Sequence, residues 1–318
     1  MRLEELLKSY EKGERNFSGG EFSSEEIIGL NLIEIDLSRA NLQWVNLSGS
    51  DLSGSELLQA DLSNSRLIGT KMIGANLTNA NITNSDLSWA NLSSANLSRA
   101  DLSHSNLNNS SLINSDFSYA KLKNCSFKNA NLSGANFTRA DLSGANLEGL
   151  DLTGADFTQA DLSGANLQGC DLSEAKLNRA CLSKCHLEKA DLSQATLQGV
   201  NLEKANLQGA DFRGIILKNT YQSEVKISKV TVKISKKKIL FVAALMQEVN
   251  LKNSKIRNGI FDLTNLTQAN LEGAILQQAD LTSSDLSYSI LKEANFRNSL
   301  LKEVAFAGAT MPDGSVHP

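Results

Sequence analysis

Apolar residues recur along this chain at every fifth position. From Phe17 the series runs through Phe22, Ile27, Leu32, Leu37 and Leu42, unbroken to Phe212 and Leu217. Two positions before each sits a small side chain in most repeats, such as Ala40, Ser50, Ala60, Ala75, Ala90, Ala140 and Ala190. The residue between them is usually Asp or Asn, and the one following is usually Ser or Thr, as in the run Ala140 to Gly144. A period of five fits neither a helix, at about 3.6 residues per turn, nor a plain strand, at about 2. A helix would spread the leucines around its circumference and leave no coherent buried stripe. In extended backbone, by contrast, the small residue and the Leu or Phe point to one side and the Asp or Asn to the other. The remaining residues must turn the chain before the pattern resumes. Short extended segments joined by tight turns, each aiming its apolar pair inward, wind into a parallel β-solenoid.

On these residues the chain resembles the pentapeptide-repeat proteins, whose A-(D/N)-L-X-X motif covers nearly all of it. The resemblance implies an all-β fold: a right-handed quadrilateral parallel β-helix with four five-residue walls, and so 20 residues per coil. The ends resemble the cyanobacterial branch, in the opening Glu5 to Tyr10 with Gly13, Arg15 and Phe17, and in the closing Gly308 to Gly314. From Phe17 to Met311 is 295 residues, which makes about 15 coils and a rod on the order of 70 Å long at the ~4.8 Å strand spacing. Both ends of such a rod are open edges that need covering. Leu3, Leu6, Leu7 and Tyr10 fall on one helical face, which predicts a capping helix over residues 2–12. A partner-binding amphipathic helix is the alternative.

The expected organisation is an N-terminal cap over 1–16, a solenoid over 17–217, a basic frame-breaking segment over 218–240, a continued solenoid over 241–311 and a tail over 312–318. After Leu217 the phase is lost, and it returns with Phe241, Met246 and Leu251 shifted by one position. Between them Val225, Ile227, Val230 and Val232 are interleaved with Lys226, Lys229, Lys233 and the run Lys236, Lys237, Lys238. Two readings stay open: a continuous coil with one register slip near the lysine run, or a β-hairpin looped out of the rod. The lysines would serve either as a contact for an anionic partner or as charges that keep sheet edges from aggregating.

Charge and composition narrow the function. The 31 Lys and Arg nearly balance 35 Asp and Glu, a formal −4, which excludes a strongly basic nucleic-acid binder. The longest apolar run, Ile239 to Met246, is far short of the roughly 20 residues of a membrane span. The charged N-terminus is no signal peptide, so the cytoplasm is the expected compartment. Cys125, Cys170 and Cys185 take the small inward position and read as core fillers. Cys181 and His186 point outward on neighbouring sides while Cys185 points inward, so the C-x3-C-H cluster does not converge on a metal. The three His support no nucleophilic triad. Gly209 and Gly214 have P-loop spacing, but Ile215 stands where the phosphate-binding Lys belongs. No cofactor is expected, and an enzyme is the weakest reading.

The surface columns hold the remaining signal. Positions 20 apart should stack, which puts Asp151, Asp171, Asp191 and Asp211 in one ladder and Asp141 and Asp161 on the opposite wall. The ladder is a candidate binding strip for a basic partner. The alternative is that Asp and Asn serve equally to hydrogen-bond the turn backbone. The expected function is therefore a non-catalytic protein-interaction scaffold whose protein partner is not named by the sequence. A second possibility is a DNA mimic acting on a type II topoisomerase such as gyrase, as some members of the resembled family do. A ~70 Å duplex would carry about 40 phosphate charges, and a chain of −4 is a poor copy of it.

Overall fold

The computed structural model describes residues 3–197, 200–208, 210–211, 239–240 and 246–318, with backbone alone described at 239–240. The chain is a right-handed quadrilateral parallel β-helix. Each wall meets the next coil through the Asp or Asn position of the repeat, and bridges join residues 20 apart, from Asn16–Asp36 to Asp191–Asp211. Two backbone bonds hold a typical contact. Leu42 N donates forward to Asp61 O at 2.7 Å, and Asp61 N donates back to Ala40 O at 3.0 Å.

The repeat chemistry explains why the chain turns where it does. The amide of most small residues closes a turn on the preceding apolar carbonyl, as Ala40 does on Leu37 at 3.0 Å, while Ser65 and Ser85 donate instead to a serine hydroxyl one coil on. The residue between has positive φ, 60° at Asn64 and 67° at Gly144, which is the second corner of a type II turn and suits Gly and Asn. The Asp or Asn side chain then accepts the amide two residues on, as Asp51 Oδ1 does from Ser53 N at 3.1 Å. An Asx bond of this kind is why Asp or Asn precedes each apolar residue and Ser or Thr follows it.

Leu and Phe fill a dry interior, with Leu97, Leu102, Leu107 and Leu112 fully buried, each contributing on the order of 2 kcal/mol. Phe117, Phe137 and Phe157 stack in one column at 5.1 and 5.0 Å with rings 4° from parallel. At the small position, hydroxyls bond either the carbonyl 23 residues back, as Ser85 Oγ does to Leu62 O at 2.8 Å, or the one three residues back, as Ser115 Oγ does to Leu112 O at 2.6 Å. The buried thiols reach back 23 residues as well: Cys125 to Leu102 at 3.0 Å, Cys170 to Leu147 at 2.9 Å, and Cys185 to Leu162 at 2.8 Å. Thiol and serine hydroxyl are interchangeable there because both are small and both donate.

Helix α1 (Leu3–Glu11) covers the first coil with Leu6 buried, and it ends one residue before the C-terminal limit that the periodicity predicts. Tyr10 ties it down, its hydroxyl donating to Ile33 O at 2.9 Å while Arg15 lies 3.9 Å over its ring. At the other end the tail pairs with one wall only, Thr310 bridging antiparallel to Val316. Leu300 and Leu301 stay exposed on that last coil.

Across the frame break, Asn206 bridges Asn250 and Asp211 bridges Lys255, 44 residues apart instead of 20. The chain between therefore carries 24 residues more than one coil uses. The short strands β1 (Ile239–Leu240) and β2 (Gly259–Ile260) pair in parallel with the ordinary spacing of 20. Most of 218–240, including Lys236, Lys237 and Lys238, lies outside the described residues.

Candidate interaction surface

Asp151, Asp171, Asp191 and Asp211 form one ladder of successive bridges, ending on Lys255. Asp141 and Asp161 pair on another wall. Three of the ladder carboxylates are aimed by the turn beneath them: Oδ1 accepts from Thr153 N at 3.0 Å, Ser173 N at 2.9 Å and Ser193 N at 2.8 Å for Asp151, Asp171 and Asp191. The bond to Thr153, side chain first and amide second, holds the Asp151 carboxyl below the usual carboxylate range against a smaller opposing effect of burial.

Ionised carboxylates ~4.8 Å apart repel by about 1 kcal/mol per neighbouring pair in bulk water, less with salt. At three other places the next coil supplies a lysine in place of a second carboxylate. Lys71 meets Asp51 at 3.7 Å in the same column, Lys121 meets Asp101 at 3.2 Å, and Lys176 meets Asp156 at 3.1 Å. The ladder repeats Asp four times before reaching a lysine. Residues 141–211 hold 11 acidic side chains against five Lys and Arg. Beside the ladder runs a shallow groove lined by Gln168, Glu188, Lys189, Gln208 and Asn253.

The Cys181–Cys185–His186 cluster stays apart. Cys185 is buried, Cys181 Sγ lies 3.1 Å from Ser163 Oγ, and His186 Nδ1 faces Glu188 Oε1 at 3.5 Å. No group of three or more metal-ligating side chains converges among the described residues. No helix among them is long and apolar enough to cross a membrane.

Comparison with known sequences decides the kinship. Eight stretches match the family described as pentapeptide repeats: residues 27–54, 60–99, 95–134, 120–159, 151–188, 180–219, 244–282 and 279–313. The chain belongs to the pentapeptide-repeat family. No curated protein matches this pentapeptide-repeat chain. Among solved structures it is similar to HetL, a pentapeptide repeat protein involved in heterocyst differentiation regulation from the cyanobacterium Nostoc sp., at 27% identity over 100% of both chains with a TM-score of 0.40. A second pentapeptide repeat protein from Nostoc is 33% identical over 33% of this chain and 80% of its own, with a TM-score of 0.26. QnrB1, a plasmid-mediated fluoroquinolone resistance protein, is 21% identical over 58% of this chain and 94% of its own, with a TM-score of 0.27.

Two surface features of this pentapeptide-repeat rod escape a search for motifs. One is a corner column in which Arg99 and Arg139 each lie 5.3 Å from the Tyr119 ring centroid. The other is a set of exposed isoleucines on the first coils. Reading the sequence in rows of 20 brings out both.

Proposed function

We propose that this pentapeptide-repeat chain is a non-catalytic, cytoplasmic interaction scaffold, and that the Asp151–Asp211 ladder is its contact for a basic protein surface. One observation carries the reading: Asp151, Asp171 and Asp191 each meet another aspartate one coil on, where Asp51, Asp101 and Asp156 each meet a lysine. Aspartate and asparagine both make the Asx bond, as Asn91 Oδ1 does to Ser93 N at 3.1 Å. The fold therefore has no need of the charge, and a basic partner would use it. Charge is also segregated along the chain. Residues 212–245 hold eight Lys and Arg and one Glu, which leaves a net −11 for all the rest.

Affinity capture from native lysate, with wild type and the Asp151/Asp171/Asp191/Asp211→Asn variant, tests the reading. The variant should keep the far-UV circular dichroism of the rod and lose a salt-sensitive basic partner. Identical captured sets from both would refute it. The topoisomerase-mimic reading has the acidic wall in its favour. Its charge density is against it, since −11 falls far below the ~40 charges of a duplex of similar length. DNA supercoiling by gyrase that is indifferent to micromolar protein removes that option.

A further inference from the structure

On the first coils the position after the apolar residue departs from Ser and Thr in a regular way. One column reads Ile33, Ser53, Ile73, Ser93, Ile113 and Ser133, and the column one corner earlier reads Ile28, Ser48, Ile68 and Ser88. The two alternate in step, so Ile occupies both columns in one coil and Ser both in the next. The corner between them is Gly29, Gly49 and Gly69, where an added Cβ would meet nothing within 4 Å. Trp89 takes the following place in that corner column and is 66% exposed.

Serine at this position works for the coil, as Ser53 Oγ donates to Asp51 Oδ1 at 2.6 Å and Ser93 Oγ to Asn91 Oδ1 at 2.7 Å. Isoleucine gives up that bond and places apolar surface in water, with Ile28 54%, Ile33 37% and Ile73 43% exposed. The fold accepts serine one coil away, so the rod itself does not require isoleucine. Clustered exposed apolar side chains of this kind mark contact surfaces.

We propose that this wall docks an amphipathic helix of a partner protein, lying along the rod axis, with apolar residues in a seven-residue repeat and cationic residues at the end over the first coil. The isoleucine bands lie two coils apart, ~9.6 Å, and seven helical residues advance ~10.5 Å. From Ile33 to Ile113 is ~19 Å against ~21 Å for two heptads, a mismatch that side chains absorb. Glu21, Glu25, Glu26, Glu34 and Asp36 belong to the coil that carries Ile28 and Ile33, and residues 3–40 hold nine acidic side chains against four Lys and Arg. Those carboxylates select a cationic helix end and repel an anionic bilayer or the same wall of a second copy. The surface is separate from the Asp151–Asp211 ladder and does not rest on it.

The test titrates a fluorescein-labelled designed helix of about 18 residues, with heptad leucines and lysines at one end, and reads anisotropy. Wild type is compared with Ile33→Ser/Ile73→Ser and with Ile28→Ser/Ile68→Ser, substitutions the neighbouring coils already contain, with the fold checked by circular dichroism. Saturable, salt-weakened binding that falls about tenfold in each variant supports the assignment. Absence of binding to wild type, or equal binding by the variants, overturns it. So does tighter binding of an extended proline-rich peptide of the same charge, or a wild-type dimer in sedimentation equilibrium that the variants lose.

Discussion

Ser254 Oγ donates a 2.9 Å hydrogen bond to the carbonyl of Leu207, 47 residues earlier. The equivalent bonds of Ser50, Ser85 and Ser105 reach back 23 residues. The reach is longer by 24 residues while the contact itself is unchanged. Leu207 N also donates to Asn250 O at 2.6 Å, and Asn250 N to Ala205 O at 2.8 Å. The coil around Asn250 thus stacks on the coil around Asn206 as though the extra chain were absent.

Removing residues 215–238 leaves Asp211 and Lys255 separated by one coil's 20 residues and keeps the fifth-position phase. The shortened protein is expected to fold as the same rod, with unchanged circular dichroism per residue and a melting temperature within a few degrees of wild type. Loss of cooperative unfolding would show that the segment is needed for the stacking. The variant also lacks Lys236, Lys237 and Lys238, so any anionic partner that still binds it does not use them.

Coil architecture was legible in the sequence because one five-residue unit encodes an inward pair, an Asx bond and a turn, repeated until the phase is unmistakable. The Phe117–Phe137–Phe157 stack and the Asp151–Asp211 ladder follow from counting by 20. Pairing across the break was not legible, since periodicity records phase and carries no information on how many residues leave a coil. The isoleucine wall was missed for a different reason. Single exposed isoleucines are ordinary, and only their alternation between coils sets Ile33 and Ile73 apart from Ser53 and Ser93.

Thiol chemistry should separate the four cysteines. Burial pushes the Cys125 and Cys185 thiols up to about 12 and Cys170 to about 11, so they are protonated at neutral pH. Cys181 lies on the outer wall, partly exposed. Under native conditions Ellman's reagent is expected to modify Cys181 alone, with Cys181→Ser abolishing the reaction and guanidinium releasing the rest. Prompt reaction of a second thiol would mean that the coils around Cys125 or Cys185 open readily.

Acid stability should follow the Asx bonds. The Ser53 hydroxyl lowers the Asp51 carboxyl, helped by the Ser53 amide and Lys71 against burial, and Thr153 lowers Asp151. A folded-state value below the unfolded one, about 3.9, gives stability that is complete above that value and lost as pH falls through the folded one. The melting temperature is therefore expected to drop below about pH 4, and Ser53→Ala/Thr153→Ala to flatten that drop. Asp262 runs the other way, its carboxyl raised by burial and then by Asp280. Asp262→Ser, which restores the usual repeat residue, should raise the melting temperature at pH 7.

Leu150 occupies an inward position that Ala90, Ser110, Ala130, Cys170 and Ala190 fill with small side chains in the same column. One coil earlier Leu112 N bonds Asn131 O at 2.8 Å, and one coil later Leu152 N bonds Asp171 O at 2.8 Å. Between them, among the described residues, Leu132 N makes no bond to Asp151 O, Asp151 N makes none to Ala130 O, and the Asn131–Asp151 bridge is missing. A leucine in a slot sized for alanine wedges the two coils apart on the wall where the acidic ladder begins. Overpacking costs about 1–3 kcal/mol, which offsets the apolar burial the side chain gains. Leu150→Ala should therefore change stability by no more than about 1 kcal/mol, whereas Leu142→Ala at an apolar position should lose about 2–5 kcal/mol. In Leu150→Ala, amide exchange at Leu132 and Asp151 should slow by about an order of magnitude as the missing bonds form. A loss from Leu150→Ala as large as that from Leu142→Ala, with exchange unchanged, would show that the gap has another cause.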